Sequence, residues 1–135
     1  MIKYVDGDLI TLAKHGAFDV IFHCCNCFCT MGSGIAPQIK TAFPEAYEVD
    51  CKTTSGDKNK LGTITYTENS KPIVVNLYGQ YGYGNRKLGL PDVDYDALRS
   101  AIKQMKEKFS GKIFGGPKIG AGLAGGDWSV IEKII

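Results

Sequence analysis

The chain has 135 residues, enough for one domain with a hydrophobic core and too few for two. Hydrophobic residues make up 44% and charged residues 22%, as in an ordinary globular protein, and a formal net charge of +2 gives no argument for a specific nucleic acid partner. No apolar run approaches the roughly 18 to 20 residues of a membrane-spanning helix, and the charged N-terminus does not fit a signal peptide. We therefore expect a cytoplasmic protein with no membrane partner.

Five cysteines raise the question of a metal site or of disulfides. Cys24, Cys25, Cys27 and Cys29 lie close together in sequence, and Cys51 stands apart. Residues that alternate along a strand point to opposite faces, so these thiols do not converge easily on a tetrahedral ion. No second cysteine or histidine pair completes a zinc site. We predict free thiols, no metal and no cofactor.

In the first half of the chain, the hydrophobic pattern predicts strands that alternate with helices. The apolar run 18–24 is typical of a strand covered on both faces. A helix is predicted over 33–43, where Pro37 is tolerated because it falls in the first turn. The other predicted elements are a strand at 2–5, a helical turn or short strand at 9–13, a polar loop at 50–60, and strands at 61–67 and 72–78 with a turn between them.

The second half continues the alternation. Apolar residues recur at helical spacing over 92–109, which predicts the clearest helix of the chain. Around it the pattern predicts a loop at 79–90, a short strand at 112–116, a second loop at 120–126 and a helix at 128–135. Alternating strands and helices indicate an α/β sandwich with a mixed, largely parallel sheet, whose ligands bind at the carboxyl ends of the strands.

Two glycine-rich loops each follow a predicted strand and lead into a predicted helix. The first contains Gly32, Ser33 and Gly34, and the second runs over 120–126. Backbone N–H groups in such loops and at helix N-termini can hold an anion, a phosphate in particular. Neither loop matches the P-loop or the dinucleotide fingerprint. The pair predicts a groove that clamps a diphosphate from both sides, with ordinary turns as the alternative.

His23 and Asn26 stand at the end of the predicted strand 18–24, beside the first glycine loop. The amide of Asn26 can donate to and accept from ribose hydroxyls. The imidazole of His23 could transfer a proton near neutral pH. A histidine packed within an apolar strand is an equal alternative for His23. Both residues are candidates for catalysis.

Two carboxylates precede predicted helices. Asp8 could accept a hydrogen bond from an exocyclic amine such as that of adenine, or it could cap the short helix that follows. Asp127 follows the second glycine loop, where it could activate a water molecule beside a phosphate. Aspartate is also a preferred N-cap, which is the stronger alternative for Asp127.

Tyr81 and Tyr83 lie in a glycine-rich segment too polar to belong to the core. Their aromatic faces could flank a sugar or a base. A flexible surface loop without a ligand role is the alternative, and the sequence favours neither.

These segments together resemble the macrodomain, the ADP-ribose-binding module. The resemblance rests on Gly-Asp-Leu-Ile-Thr at 7–11, His-Cys-Cys-Asn at 23–26, Met-Gly-Ser-Gly-Ile-Ala at 31–36 and the glycine-rich segment 118–128 that ends in Gly-Asp-Trp. It covers nearly the full chain and implies a three-layer α/β/α sandwich. The forms at 31–36 and 126–128 are similar to the branch of yeast-type ADP-ribose 1''-phosphate phosphatases with their phage and bacterial relatives. That branch also includes the terminal ADP-ribose protein glycohydrolase type.

The resemblance also implies site residues. Asp8 would contact adenine, and Asn26 would hold the distal ribose. The segment 32–36 would cover the distal ribose and diphosphate, and 120–124 would grip the diphosphate from the other side. The predicted catalytic residues are His23, Asn26 and Asp127. The predicted ADP-ribose contacts are Asp8, Leu9, Asn26, Met31, Gly32, Ser33, Gly34, Ile35, Ala36, Tyr81, Tyr83, Ile119, Gly120, Ala121, Gly122, Leu123 and Ala124.

The favoured activity is hydrolysis of ADP-ribose 1''-phosphate to ADP-ribose and phosphate. A non-catalytic reader of free or protein-linked ADP-ribose and a hydrolase acting on ADP-ribosylated protein are the alternatives. The glycohydrolase type has a nucleophilic lysine where this chain has Gln80, and an acid where it has Ala124, so a lysine mechanism is not expected. Most macrodomains also have a final strand, which the pattern does not predict within these 135 residues.

Overall fold

Strands and helices alternate along most of the chain, as the hydrophobic pattern predicts. The computed structural model describes residues 2–32, 34–83, 92–119 and 126–135. In chain order the elements are α1 (Leu9–Lys14), β1 (Val20–Cys24), α2 (Ala36–Ala42), α3 (Pro44–Cys51), a 3₁₀ turn (Lys58–Lys60), β2 (Ile64–Tyr66), β3 (Ile73–Leu77), α4 (Tyr95–Lys108), β4 (Phe114–Gly115) and α5 (Trp128–Ile134).

Within the described residues the strands form one sheet in the order β2-β3-β1-β4. Strand β1 runs parallel to both of its neighbours, β3 and β4, and β2 runs antiparallel to β3. The register of the central pair places Val20 opposite Ile73 and Cys24 opposite Leu77. The sheet is therefore mixed and largely parallel, which confirms the predicted α/β class.

The apolar residues of β1 divide between two hydrophobic cores, one on each face of the sheet. Val20 and Phe22 belong to the core that includes Leu98 of α4 and Ile131 of α5. Ile21 belongs to the other core, which includes side chains of α1, α2 and α3. Successive strand residues point to opposite faces, so a continuous apolar run is what a strand between two helical layers requires. The three-layer arrangement is confirmed.

Helix α4 shows how the sequence sets an element's limits. Its N-cap Asp94 accepts a hydrogen bond through Oδ1 from the backbone N–H of Ala97 at 3.0 Å, which satisfies one of the free donors of the first turn. Its buried face consists of Ala97, Leu98, Ala101, Ile102 and Met105, the apolar stripe that the pattern predicts over 92–109.

Residues 2–5 form no strand, so that prediction is wrong. Tyr4 and Val5 are exposed, and Tyr4 instead contacts helix α5. The Tyr4 and Trp128 rings meet edge to face with centroids 6.5 Å apart, and Trp128 Nε1 donates to the Tyr4 hydroxyl at 2.8 Å. Among the described residues no strand lies beside this segment to accept its backbone hydrogen bonds.

The segment 50–60, predicted as a polar loop, contains helical structure and two buried charges. Helix α3 extends to Cys51, and Asp50 within it forms an ion pair with Lys60 of the 3₁₀ turn. The buried side chains of α3 are Ala46 and Asp50, so the helix has no apolar stripe by which the pattern could reveal it. The prediction of a simple loop is therefore wrong.

The remaining elements agree with the predictions, mostly with shorter bounds. Residues 9–14 take the helical alternative, α2 begins at Ala36 with Pro37 in its first turn, and the strands at 61–67, 72–78 and 112–116 are β2, β3 and β4. Of the predicted loops, residues 84–90 and 120–125 lie outside the described residues. No helix in the described part of the chain is long and apolar enough to cross a membrane.

Candidate functional site

The loops after β1 and β4 begin at the same end of two neighbouring strands. They lead to helices on opposite faces of the sheet. Because β1 and β4 are parallel, their carboxyl ends lie side by side. The chain passes from β1 to α2, whose Ile39 packs in the core of Ile21, and from β4 to α5, whose Ile131 packs in the opposite core with Val20. Such a reversal opens a crevice at the strand ends, which is where α/β folds bind ligands.

Asn26 closes the turn that follows β1. Its Oδ1 accepts a hydrogen bond from the backbone N–H of Phe28 at 2.8 Å, and its Nδ2 donates to the Thr30 hydroxyl at 2.8 Å. The side chain is half-buried. Asn26 therefore shapes the turn that leads into the first glycine loop, while its contact with a ribose stays a prediction.

The His23 side chain is buried in the interior of the protein and is not exposed at the end of β1. The residue is 1% exposed, and its Nε2 lies 2.6 Å from Oδ1 of Asn76 on the paired strand β3. The Cys25 Sγ lies 3.4 Å from the same ring nitrogen. Burial lowers the pKa of His23, and the Asn76 hydrogen bond and the charge of Asp50 offset that effect only in part. These contacts favour the packed histidine over the proton-transfer catalyst.

The burial of His23 predicts a pH dependence of stability. In the unfolded chain the imidazole has its ordinary pKa of 6.5, and in the folded protein its pKa is lower. Below pH 6.5 the unfolded chain therefore binds a proton that the folded protein does not. We expect the free energy of unfolding to fall by up to about 1.4 kcal/mol per pH unit until the folded pKa is reached, and this contribution to be constant above pH 6.5.

Urea unfolding between about pH 7.5 and about pH 5.5 measures this effect. The exposed His15 supplies the matched control, because His15→Gln leaves the buried imidazole in place. The wild type and His15→Gln are expected to share one slope, and His23→Gln to show a flatter one. An equal slope in all three proteins would contradict a buried, neutral His23.

Asp8 caps helix α1, which confirms the capping alternative. Its Oδ2 accepts from the backbone N–H of Thr11 at 2.9 Å and from the Thr11 hydroxyl at 2.8 Å, and these hydrogen bonds lower the pKa of Asp8. Leu9 packs beside it against the core of Ile21. Asp8 also borders a cavity of about 440 Å³ between α1 and α2. The cavity is lined by Asp8, Ile10, Pro37, Gln38, Thr41 and Ala42.

The described residues of the first glycine loop combine one buried side chain with exposed backbone. Met31 is buried, whereas Gly32 and Gly34 are exposed. Gly34 has a φ of +65°, a conformation that glycine adopts without steric cost. Ile35 and Ala36 are half-buried, and Ala36 begins helix α2. The loop thus presents backbone, with few bulky side chains, at the carboxyl end of β1.

Ile119 and Asp127 flank the second glycine loop. Ile119 is buried in the core of α4 and α5. Asp127 is exposed and caps α5, because its Oδ1 accepts from the backbone N–H of Ser129 at 2.9 Å and from the Ser129 hydroxyl at 2.7 Å. These bonds lower the pKa of Asp127, so its carboxylate is ionised at neutral pH. The predicted contacts Ser33, Gly120, Ala121, Gly122, Leu123 and Ala124 lie outside the described residues.

Tyr81 is fixed by specific contacts, while Tyr83 is 60% exposed. The Tyr81 hydroxyl donates to the carbonyl oxygen of Gly56 at 2.7 Å, and its ring packs edge to face on Phe28 with centroids 5.0 Å apart. The Tyr83 ring meets Phe28 at 6.2 Å. The structure therefore brings both tyrosines to the turn of Asn26, and for Tyr81 these contacts disfavour a flexible surface loop.

Sequence reasoning missed a buried polar network that starts at His23 and runs between the sheet and α3. Asn76 donates through Nδ2 to the Ala46 carbonyl at 2.9 Å and to the Thr65 hydroxyl at 3.0 Å. The Thr65 and Tyr78 hydroxyls lie 2.8 Å apart. The signal that could have revealed it is a lone polar residue, Asn76, within the apolar strand β3.

The network ends in a buried ion pair. The Tyr78 hydroxyl donates to Oδ1 of Asp50 at 2.7 Å, and Lys60 Nζ donates to the same oxygen at 3.1 Å. No buried side-chain nitrogen or oxygen in the described part of the chain is left without a hydrogen-bond partner. Among the described residues no three His, Cys, Asp or Glu side chains converge closely enough to hold a metal ion.

Comparison with known proteins places this architecture in a family. Residues 22–135 match the model of the Macro domain. A protein of Enterobacteria phage T4, described as an uncharacterized 17.5 kDa protein in the tk-vs intergenic region, is 37% identical over 144 residues, 100% of this chain and 88% of the phage protein. An ADP-ribose 1''-phosphate phosphatase of Debaryomyces hansenii is 32% identical over 165 residues, 100% of this chain and 92% of the yeast protein.

A solved structure shares the fold. Thermosipho africanus DarTG in complex with ADP-ribose matches with a TM-score of 0.69 and 18% identity, over 95% of this chain and 35% of that chain. The family match covers most of the chain, including both glycine loops. The chain therefore belongs to the Macro domain family.

Proposed function

We propose that this macrodomain binds ADP-ribose 1''-phosphate and hydrolyses its terminal phosphate ester to ADP-ribose and inorganic phosphate. The observation that carries the proposal is the arrangement of β1 and β4, parallel neighbours whose following helices pack on opposite faces of the sheet, because α/β folds bind ligands at such a point. The yeast relative named for this activity, similar over the whole chain, supports the choice of substrate.

Asp8 and Asn26 would set the orientation of the ligand. Asp8 borders the cavity between α1 and α2, and since Thr11 binds it through Oδ2, the other carboxylate oxygen would accept a hydrogen bond from the adenine amine. Asn26 would hold the distal ribose. Binding energy from the adenine and the diphosphate would then hold the 1''-phosphate in place for attack by water.

In the proposed reaction, a water oxygen forms a bond to phosphorus and the bond from phosphorus to the 1''-oxygen breaks. One proton of the water stays on the phosphate product, and the other ends on the freed 1''-oxygen as its hydroxyl. Loop N–H groups would stabilise the charge that develops on the phosphoryl oxygens. Asp127 is ionised and exposed, so it can accept a hydrogen bond from the attacking water and orient it. A carboxylate of lowered pKa is a weak base, which makes orientation the better role for it. We assign His23 no proton transfer, because its ring is enclosed.

The direct test is phosphate release from ADP-ribose 1''-phosphate in buffer with a chelator. Asp127→Asn is the informative variant, since asparagine also caps helices and preserves the fold of α5 while it removes the charge. We expect release by the wild type and a loss of about 10²-fold or more in Asp127→Asn. The unfolding temperatures of the wild type and Asp127→Asn should be similar. No release by the wild type above a buffer blank would refute the proposed activity.

A non-catalytic reader of ADP-ribose is the second candidate, and the burial of His23 favours it because the enclosed imidazole is no acid–base catalyst. Calorimetric titration with ADP-ribose separates the two candidates, since binding without turnover is the signature of the reader. The third alternative, removal of ADP-ribose from protein by a lysine mechanism, has no such support: Gln80 donates to the Gly82 carbonyl at 2.9 Å where that mechanism needs a nucleophile.

A further inference from the structure

The buried ion pair of Lys60 and Asp50 lies directly behind the turn that carries Asn26. The two side chains are 4% and 1% exposed, and Lys60 Nζ lies 3.1 Å from Asp50 Oδ1. Taking two charges out of water is costly, and apolar pairs of similar volume are often at least as stable. A gain in stability therefore does not explain why these two charges are buried. The other contacts of Lys60 and Asp50 indicate their role.

Both partners of the pair hold Cys29. Lys60 Nζ lies 3.5 Å from Cys29 Sγ, and the Cys29 thiol donates to the backbone carbonyl of Asp50 at 3.4 Å. The Thr53 hydroxyl donates to the same carbonyl at 2.6 Å and lies 3.5 Å from the thiol. On its other side Asp50 is fixed by Tyr78, which follows β3. The pair thus ties Cys29 to α3, to the 3₁₀ turn and to the sheet.

Cys29 has a φ of +59°, a left-handed backbone conformation that residues other than glycine rarely adopt. Such a residue keeps this conformation only where its surroundings hold it. It lies inside the turn that Asn26 closes through Phe28 and Thr30. Cys29 therefore lies between the two residues that bind the Asn26 amide, and its conformation sets where Thr30 lies relative to Phe28.

From these contacts we propose that Lys60 and Asp50 are positioning residues, which hold Cys29 in its left-handed conformation and thereby place the Asn26 amide for the ligand. Neither residue needs to touch the ligand. The expected effect on ADP-ribose binding rests on the proposed function. The expected effect of Lys60 and Asp50 on the turn does not.

The first experiment compares ADP-ribose affinity in Lys60→Met with that of the wild type. Methionine keeps the length of the side chain and removes the ammonium group. We expect the Kd for ADP-ribose to rise about tenfold or more, because the turn is released. The exposed pair of Asp96 and Arg99 supplies the matched control, and Arg99→Met is expected to bind like the wild type.

Rescue separates positioning from general destabilisation. Glycine adopts a positive φ at no steric cost, so Cys29→Gly makes the turn independent of the ion pair. In the double variant Cys29→Gly with Lys60→Met, the Kd should return to within about threefold of the Cys29→Gly value. The conservative core variant Ile102→Val on α4 controls for stability, and it should lower the unfolding temperature without changing the Kd. A tenfold loss that persists in the double variant would overturn the proposal.

A readout without ligand keeps the inference testable if the proposed function fails. The side-chain amide of Asn26 gives its own pair of signals in a ¹⁵N spectrum, assigned by their loss in Asn26→Asp. In Lys60→Met these signals should move toward the positions of a free side-chain amide and exchange faster with solvent. No binding by the wild type would refute ADP-ribose as the ligand. Unchanged Asn26 signals in Lys60→Met would refute positioning, whatever the ligand.

Discussion

Replacement of Asn26 by alanine is expected to slow hydrolysis of ADP-ribose 1''-phosphate by about 10²-fold or more, since small displacements of a positioned substrate cost that much. Two contributions add in this variant. The ribose loses its proposed amide partner, and the turn loses the bonds that Asn26 makes to the Phe28 N–H and to Thr30. Initial rates of phosphate release, with the Kd for ADP-ribose measured alongside, would show both losses.

Two further variants test whether the lower rate of Asn26→Ala comes from the loss of the Asn26 amide. Asn26→Asp keeps an oxygen to accept from Phe28 but loses the donor to Thr30, so we expect an intermediate rate. Asn59→Ala is the matched control, because the side chain of Asn59 is exposed on the 3₁₀ turn. A rate for Asn26→Ala within about threefold of the wild type would place the distal ribose elsewhere.

Replacement of Asn76 by leucine is expected to lower the free energy of unfolding by about 3 to 5 kcal/mol. Leucine keeps the branching of asparagine at Cγ, but it can neither donate nor accept a hydrogen bond. The change removes a partner from two buried groups, the His23 imidazole and the Ala46 carbonyl, and from the half-buried Thr65 hydroxyl, which keeps its contact with Tyr78. Each buried polar group left unpaired costs about 1 to 3 kcal/mol.

Urea unfolding at neutral pH measures the loss in Asn76→Leu. Asn69→Ala supplies the control, since Asn69 lies exposed in the turn between β2 and β3 and its replacement should change stability by less than about 0.5 kcal/mol. A loss below about 1 kcal/mol in Asn76→Leu would mean that the network adds little to stability.

The sequence predicts the fold well wherever the determining pattern is local. The continuous apolar run 18–24 required a strand between two helical layers, and β1 supplies residues to both cores. The stripe of α4 and its Asp94 cap lie within one stretch of chain. The strand expected at 2–5 fails for the opposite reason, because a strand needs a neighbour and local pattern contains no information about one.

The candidate site was predictable in part. The capping positions of Asp8 and Asp127 follow from residue type and place in sequence. The burial of His23 does not, because it depends on Asn76 on another strand. The ion pair of Asp50 and Lys60 was missed because two charges in a polar stretch look solvated until helix α3 and the 3₁₀ turn bring them together.

The thiols at the end of β1 have a practical consequence for chemical labelling. Burial raises the pKa of Cys24 to about 12 and that of Cys25 well above 9.0, and the thiolate is the form that reacts. Cys51 is exposed at the end of α3. A maleimide reagent therefore reacts with Cys51 first. A fluorophore attached there would lie on α3, the helix that supplies Asp50, and outside the crevice.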